Sequence, residues 1–200
     1  MNRWGCKGPP PEAYSRVTDP ERFHPLHDVA LRLIDELDAT FDIERHEGYG
    51  LDQELEKGEL ARPSIKLVPR DADAAPIVIA FTAFPGLHVR FGHWRTEPFP
   101  ECGCDACDET ADGEAARLSE LVDTVTAGRF REAIRLLPTG DALQESGFWS
   151  QKGRSSMRER LDRSQALQML AGSERSSFEW KSWPRRNKQP DSTTTVFRSP

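Results

Sequence analysis

Three of the four cysteines in this chain lie within six residues, as Cys102, Cys104 and Cys107 in the run CGCDAC. The CxC and CxxC spacings allow a short loop to direct several sulfur atoms at one point, as in structural zinc sites. In a reducing compartment, clustered cysteines are more often metal ligands than disulfides. The sequence therefore predicts a metal site with zinc as the bound ion. Unliganded thiols and redox chemistry are the alternatives.

A tetrahedral zinc site needs a fourth ligand in addition to these three sulfurs. The candidates are Cys6, which is the remaining cysteine, the imidazoles of His88 and His93, and water. A protein ligand would close a structural site, whereas water would leave the open position that a catalytic zinc requires. We include Cys6 in the predicted ligand set and keep the two histidines and water as alternatives.

The cysteine run lies in an acidic stretch of the chain. Between residues 97 and 114 there are seven Asp or Glu residues and no Lys or Arg. Nearby carboxylates disfavour a thiolate, so the sequence predicts raised thiol pKa values and poor nucleophiles in the absence of a cation. A divalent cation would reverse this effect, because it deprotonates each sulfur that it binds.

The rest of the sequence contains no motif that names a reaction. It lacks HExxH, GxSxG, a Walker loop and GxGxxG, so an enzyme is unsupported. No stretch approaches the roughly 18 apolar residues of a membrane span, and the N-terminus has no apolar signal region. We expect a cytoplasmic protein with no membrane partner.

The net charge of −6 is unevenly distributed. Residues 1–150 carry 16 basic and 28 acidic side chains, a net charge of −12, whereas residues 151–200 carry 11 and 5, a net charge of +6. The acidity of the larger part favours a basic protein as the partner and disfavours nucleic acid. The sequence does not predict the oligomeric state.

The basic C-terminal quarter also contains indole rings. We expect Trp180 and Trp183 to pack against the acidic part, because burying indole removes apolar surface from water. Arg185, Arg186 and Lys188 are then expected to stay solvated. Nucleic-acid binding by the same residues is the alternative.

Hydrophobic periodicity predicts two main helices. The first follows a capping-box pattern at 18–21 and extends to Phe41, and the second runs from Asp108 or Thr110 to Gly128. Their apolar faces include Leu33 and Leu121 and are expected to cover one sheet. Weaker patterns predict strands at 41–47, 65–68, 77–84, 87–94 and 178–183, a strand or helical turn at 130–137 and a third helix at 157–170.

These elements predict an α+β fold, in which an antiparallel sheet of about four to five strands packs against two main helices. The cysteine loop follows the strand at 87–94 and is expected at a sheet edge. We predict an extended N-terminal arm at 1–17, a single domain at 18–184 and a flexible tail at 185–200.

The sequence contains the runs FTAFPGL at 81–87, VRFG at 89–92, CGCDACDE at 102–109, GRFRE at 128–132 and FWS at 148–150. These runs resemble an uncharacterised family of actinobacterial proteins, a domain of unknown function. The resemblance extends from about Tyr14 to Arg186. It implies a cytoplasmic bacterial protein with an α+β fold and brings no activity, substrate or catalytic residue.

The function predicted from these observations is that of a non-enzymatic binding or accessory protein with a structural zinc site of the CxCxxC type. The alternative is a metal-dependent hydrolase, in which an open zinc site at the same loop activates water. The two differ in the fourth ligand of the metal.

Overall fold

Hydrophobic strands in the first part of the chain form a five-stranded antiparallel sheet, called sheet 1. The computed structural model describes residues 4–150, 153–171 and 175–187. Sheet 1 contains, in chain order, β1 (Ile43–Gly48), β2 (Leu60–Pro69), β3 (Ile77–Thr82), β4 (Gly86–Phe91) and β5 (Arg95–Phe99). A short turn at Pro85 joins β3 to β4. The predicted α+β class and the antiparallel sheet are confirmed.

A second antiparallel sheet, sheet 2, is not predicted as a separate sheet, although the patterns at 130–137 and 178–183 overlap two of its strands. It contains β6 (Phe130–Leu136), β7 (Ala142–Ser150), β8 (Gly153–Leu161) and β9 (Ser177–Glu179), in the spatial order β8-β7-β6-β9. The predicted helix at 157–170 is therefore wrong in its first part, which belongs to β8. As an edge strand, β8 exposes nearly all its side chains, so it carries no hydrophobic alternation that sequence reasoning could detect.

Three helices complete the fold: α1 (Pro25–Thr40), α2 (Ala111–Thr126) and α3 (Arg163–Leu170). The first begins later than predicted, because Pro20–Phe23 forms a 3-10 turn and the side chain of Asp19 makes no capping hydrogen bond. In α2, Thr110 is the N-cap and accepts the N–H of Gly113 at 3.1 Å. No helix in the described part of the chain has the length and apolar character needed to cross a bilayer.

The two long helices join the two sheets. α1 contacts β1 and β4 of sheet 1. α2 contacts α1 and β7 of sheet 2 and, through Arg117, also β5 of sheet 1, so it packs against both sheets. On α1 the fully buried positions include Ile34, and on α2 they include Leu118 and Val122. Leu33 and Leu121 are only partly buried at the margin of the core.

One hydrophobic core contains residues from both sheets. The ring of Phe148 on β7 stacks on Phe130 of β6, with centroids 4.7 Å apart, and packs edge-on against Phe91 of β4, at 5.5 Å. Burial of these aromatic rings therefore fixes sheet 2 against sheet 1.

The C-terminal indole rings pack into the body of the protein as predicted. Trp180 and Trp183 are buried, and the Nε1 of Trp183 donates to the carbonyl of Ala75 at 2.9 Å. Arg185 and Arg186 are exposed, and Arg186 forms an ion pair with an acidic side chain of α1. Lys188 and the rest of the predicted flexible tail, up to residue 200, lie outside the described residues.

Candidate metal centre

The cysteine loop lies between β5 and α2 and is folded by the carboxylate of Glu109. This side chain accepts the backbone N–H of Glu101 at 3.2 Å, of Cys102 at 3.2 Å and of Gly103 at 2.6 Å. Gly103 has a positive φ of 76°, a conformation that favours glycine. These contacts turn the chain back on itself and bring the cysteines together before α2 begins.

The sulfur atoms of Cys102, Cys104 and Cys107 all lie within 4.8 Å of one another. Cys104 Sγ and Cys107 Sγ are 3.4 Å apart, and all three thiols are free. A disulfide needs about 2.05 Å between sulfurs, whereas two sulfurs on a tetrahedral zinc, with Zn–S bonds of about 2.3 Å, lie about 3.8 Å apart. The predicted convergence of the three sulfurs is confirmed, and their spacing is that of a site that can hold a metal ion.

Hydrogen bonds within the cysteine cluster shift the pKa values of Cys104 and Cys107 in opposite directions. Hydrogen bonds from the thiol of Cys102 and from the backbone N–H groups of Cys107 and Ala106 lower the pKa of Cys104. The side-chain hydrogen bonds with Cys104 and then with Cys102 raise the pKa of Cys107 to about 12. The expectation of uniformly raised thiol pKa values is therefore wrong for Cys104, because nearby donors outweigh the acidic surroundings.

The cysteine loop is also the surface on which residues 4–18, called the N-terminal segment, dock. Buried Asp105 accepts the backbone N–H of Thr18 at 2.9 Å and the Nε of Arg16 at 3.0 Å, and the Thr18 hydroxyl also donates to it. These bonds, led by that of the Thr18 side chain, lower the pKa of Asp105 to about 2. The backbone of Ala106 donates to the carbonyl of Ala13 at 3.2 Å. Residues 13–18 are thus tied to the loop that carries the sulfurs.

A small apolar cluster, separate from the main core, covers the buried sulfur. It is formed by Cys104, Ala13 and Ala106, with Trp4 packed against them. Cys6 follows Trp4 by two residues in a 3-10 turn, is exposed, and is not one of the three grouped sulfurs. Its role as the fourth ligand stays a prediction.

The two candidate histidines lie in different parts of sheet 1. His88 is half-buried on β4 and lines, with Cys102, a cavity of about 460 Å³. His93 lies in the β4–β5 turn, at the opposite end of β5 from the cysteine loop. The centroid of its ring lies 4.5 Å from that of Phe178 and 5.1 Å from that of Trp180. The fold does not bring His93 to the sulfurs, so the proposal that it ligates the metal is wrong.

Sequence reasoning overlooked a buried acidic residue, Glu132 on β6. Its carboxylate accepts the N–H of His93 at 2.7 Å, of Trp94 at 2.9 Å and the Nε1 of Trp180 at 3.1 Å. Burial raises the pKa of Glu132 to about 7. The available signal was its position in the inward row of β6, between Phe130 and Ile134, where a charged residue interrupts an apolar pattern.

Comparison with known proteins gives a family without an assigned activity. No curated protein and no solved structure matches the chain. A family model, described as a family of unknown function, matches residues 1–187. Since this match covers nearly the whole sequence, the chain belongs to the family of unknown function DUF6226.

Proposed function

We propose that Cys102, Cys104 and Cys107 bind one Zn²⁺ ion with a structural role, in a protein that binds a partner and catalyses no reaction. The observation that carries this proposal is the convergence of three free sulfurs within 4.8 Å. Thiolates are soft ligands that suit zinc, and zinc accepts tetrahedral geometry without redox chemistry. The acidic surroundings add to the attraction of a cation.

A structural role is supported by what the loop holds. Asp105 and Ala106, which bind the N-terminal segment, lie between two of the ligands, so a metal ion would fix the surface on which that segment docks. Asp105 and Glu109 accept hydrogen bonds from the protein itself, which leaves neither placed to act as a general base toward a metal-bound water. Cys6, carried by the docked segment, would close the site.

Metal content tests the proposal. We expect about one zinc per chain by elemental analysis of protein purified under reducing conditions, and none in Cys104→Ser. If Cys6 is the fourth ligand, Cys6→Ser should bind zinc more weakly than wild type. His88→Ala is the matched control and should then bind zinc with wild-type affinity. A reduced wild-type protein that neither contains metal nor binds added Zn²⁺ would contradict the proposal.

A hydrolase with an open zinc site is the second candidate, and one observation favours it. Cys102 and Cys107 are exposed, so the sulfur cluster has a side open to solvent on which water could complete the coordination. X-ray absorption spectroscopy of the zinc-loaded protein distinguishes the two candidates. Four sulfur ligands support the structural site, whereas three sulfurs and one oxygen support the open one.

The proposed partner is a basic protein, and we expect the two proteins to bind in the cytoplasm. The support is the net charge of −12 in residues 1–150, which would attract a positively charged surface. Calorimetric titration with a lysine-rich peptide should show binding that weakens steeply with salt, and a glutamate-rich peptide of equal length should not bind. Failure of the lysine-rich peptide to bind at low salt would contradict this part of the proposal.

A further inference from the structure

The face of sheet 2 that points away from the core is rich in arginine. Inward positions on β6 and β7 are buried, and the residues between them point outward together with their partners on β8. This surface, the arginine face, contains Arg131, Arg135, Arg154, Arg158 and Arg160, all of them exposed.

The carboxylates on this face do not balance its arginines. Glu145 is shared between Arg135 and Arg158, at 2.7 Å from each, and Arg160 pairs with an aspartate of the β6–β7 turn. Within the described part of the chain, neither Arg131 nor Arg154 has a carboxylate at ion-pairing distance. The arginine face therefore carries positive charge that its own acidic groups leave uncompensated.

An indole ring holds these two arginines in place. The guanidinium of Arg131, on β6, lies 4.5 Å from the centroid of the Trp149 ring, and that of Arg154, on β8, lies 5.1 Å from it. Gly147 gives the ring room, because a Cβ at this position would lie 3.1 Å from Trp149 Cη2. Cation–π contacts thus orient two guanidinium groups while leaving their N–H donors available.

A cavity of about 350 Å³ opens beside this pair. Four arginines line it, Arg131 and Arg154 among them, together with the hydroxyls of Ser156 and Ser177. Three glutamates also line it: Glu132, Glu145 and Glu179. The volume suits a small ligand and not a macromolecular surface. Guanidinium and hydroxyl donors around an excess of positive charge match the oxygens of a phosphate group.

We propose that the arginine face binds a small phosphorylated ligand, with its phosphate group held between Arg131 and Arg154. The proposal is independent of the metal centre, which lies in the loop between β5 and α2. Single-stranded nucleic acid fits less well, because its bases need open aromatic rings. The Trp149 ring is covered by the two guanidinium groups, and Trp180 is buried.

Titration with pyrophosphate at constant ionic strength tests this site. We expect wild-type protein to bind the probe, with the side-chain N–H resonances of the two arginines shifting in NMR spectra. Arg131→Gln and Arg154→Gln should each weaken binding at least tenfold. Arg160→Gln is the matched control and should bind like wild type, because Arg160 is an exposed arginine that lies on β8, as Arg154 does, and already has a carboxylate partner.

Two results would overturn the proposal. One is a wild-type protein that does not bind pyrophosphate, or that binds it no better than the folded Arg131→Gln and Arg154→Gln variants do. The other is submicromolar binding of a single-stranded oligonucleotide that pyrophosphate does not displace, which would assign the face to nucleic acid. Circular dichroism of each variant establishes that it is folded.

Discussion

Asp105 and Thr18, 87 residues apart in the chain, form a paired contact in which the Thr18 backbone N–H and hydroxyl both donate to the same buried carboxylate. Asp105 lies between two of the clustered cysteines, and Thr18 is the last residue of the N-terminal segment. The contact therefore links the proposed metal loop directly to the segment that covers it. Ion binding at the sulfurs and docking of the N-terminus are expected to be coupled through this carboxylate.

Asp105→Asn should release the N-terminal segment. The amide keeps the size of the side chain but loses the charge that strengthens its hydrogen bonds to Thr18 and Arg16. Hydrogen exchange at the Thr18 amide should become faster, while exchange in sheet 1 stays unchanged. Asp108→Asn is the control, because Asp108 is exposed and asparagine tolerates its positive φ of 54°. Equal exchange rates in wild type and Asp105→Asn would show that the Asp105 carboxylate does not hold the N-terminal segment in place.

The same contact should fail in acid. The pKa of Asp105 is lowered to about 2 in the folded protein, below the usual value of about 3.9 in an unfolded chain. Its contribution to docking is thus complete above pH 4 and is lost as the pH falls toward 2, about where the folded carboxyl is half protonated. Exchange at the Thr18 amide, followed from pH 5 to pH 2, measures this, after correction for the intrinsic pH dependence of exchange. Protection that disappears already near pH 4 would show that another group controls docking.

Zinc affinity should rise with pH. The pKa of Cys107 is raised to about 12 by its neighbouring sulfurs, so the ion must displace at least one proton to bind it. Release of one proton makes the affinity change by about tenfold per pH unit. Competition with a chromophoric chelator at pH 6, 7 and 8 measures this dependence. An affinity that is constant over this range, after correction for the chelator, would mean that the sulfurs do not ligate the ion.

Sequence reasoning located the sulfur cluster because its signal is local, with three cysteines in six residues. It could not find what holds the loop, since Thr18 and Arg16 are 87 and 89 residues away from Asp105. The same long-range contact explains the misplaced start of α1. Thr18 has the residue type of a helix cap, but its hydroxyl donates to Asp105 and caps no helix.

In the fold, too, the elements with a local sequence pattern were predictable, whereas those that depend on distant contacts were not. The strands β2, β3 and β4 are runs of β-branched and aromatic residues, and these were predictable. Strand β8 is polar on both faces and forms only because β7 offers it a partner. The burial of Ile34 in place of Leu33 also depends on tertiary packing, since both residues lie close to the apolar face of the helix.

Glu132 should make the protein less stable as the pH rises from 4.5 to 7. Burial raises its pKa to about 7 in the folded state, so the folded protein binds more protons than the unfolded chain in this interval. Full ionisation of the buried carboxyl lowers the free energy of unfolding by roughly 3 kcal/mol. Burial lowers the pKa of His27 and His93, so these two residues make the free energy of unfolding increase as the pH rises. The difference between wild type and Glu132→Gln isolates the carboxyl.

Urea unfolding at pH 5 and pH 7.5 provides the measurement for Glu132. The free energy of unfolding of wild type should decrease, relative to that of Glu132→Gln, between the two pH values. Parallel pH profiles in the two proteins would show that the buried carboxyl keeps one protonation state throughout, stabilised by its three N–H donors.

Alanine substitutions in α1 test which face of the helix enters the core. Ile34 is fully buried, so Ile34→Ala removes packed methyl and methylene groups and should cost about 2 to 5 kcal/mol of unfolding free energy. Leu33, one residue earlier, is partly buried at the margin, and Leu33→Ala should cost about 1 kcal/mol or less. Chemical denaturation of the two variants at one pH compares them directly. A larger loss for Leu33→Ala than for Ile34→Ala would mean that α1 is rotated from the orientation described above.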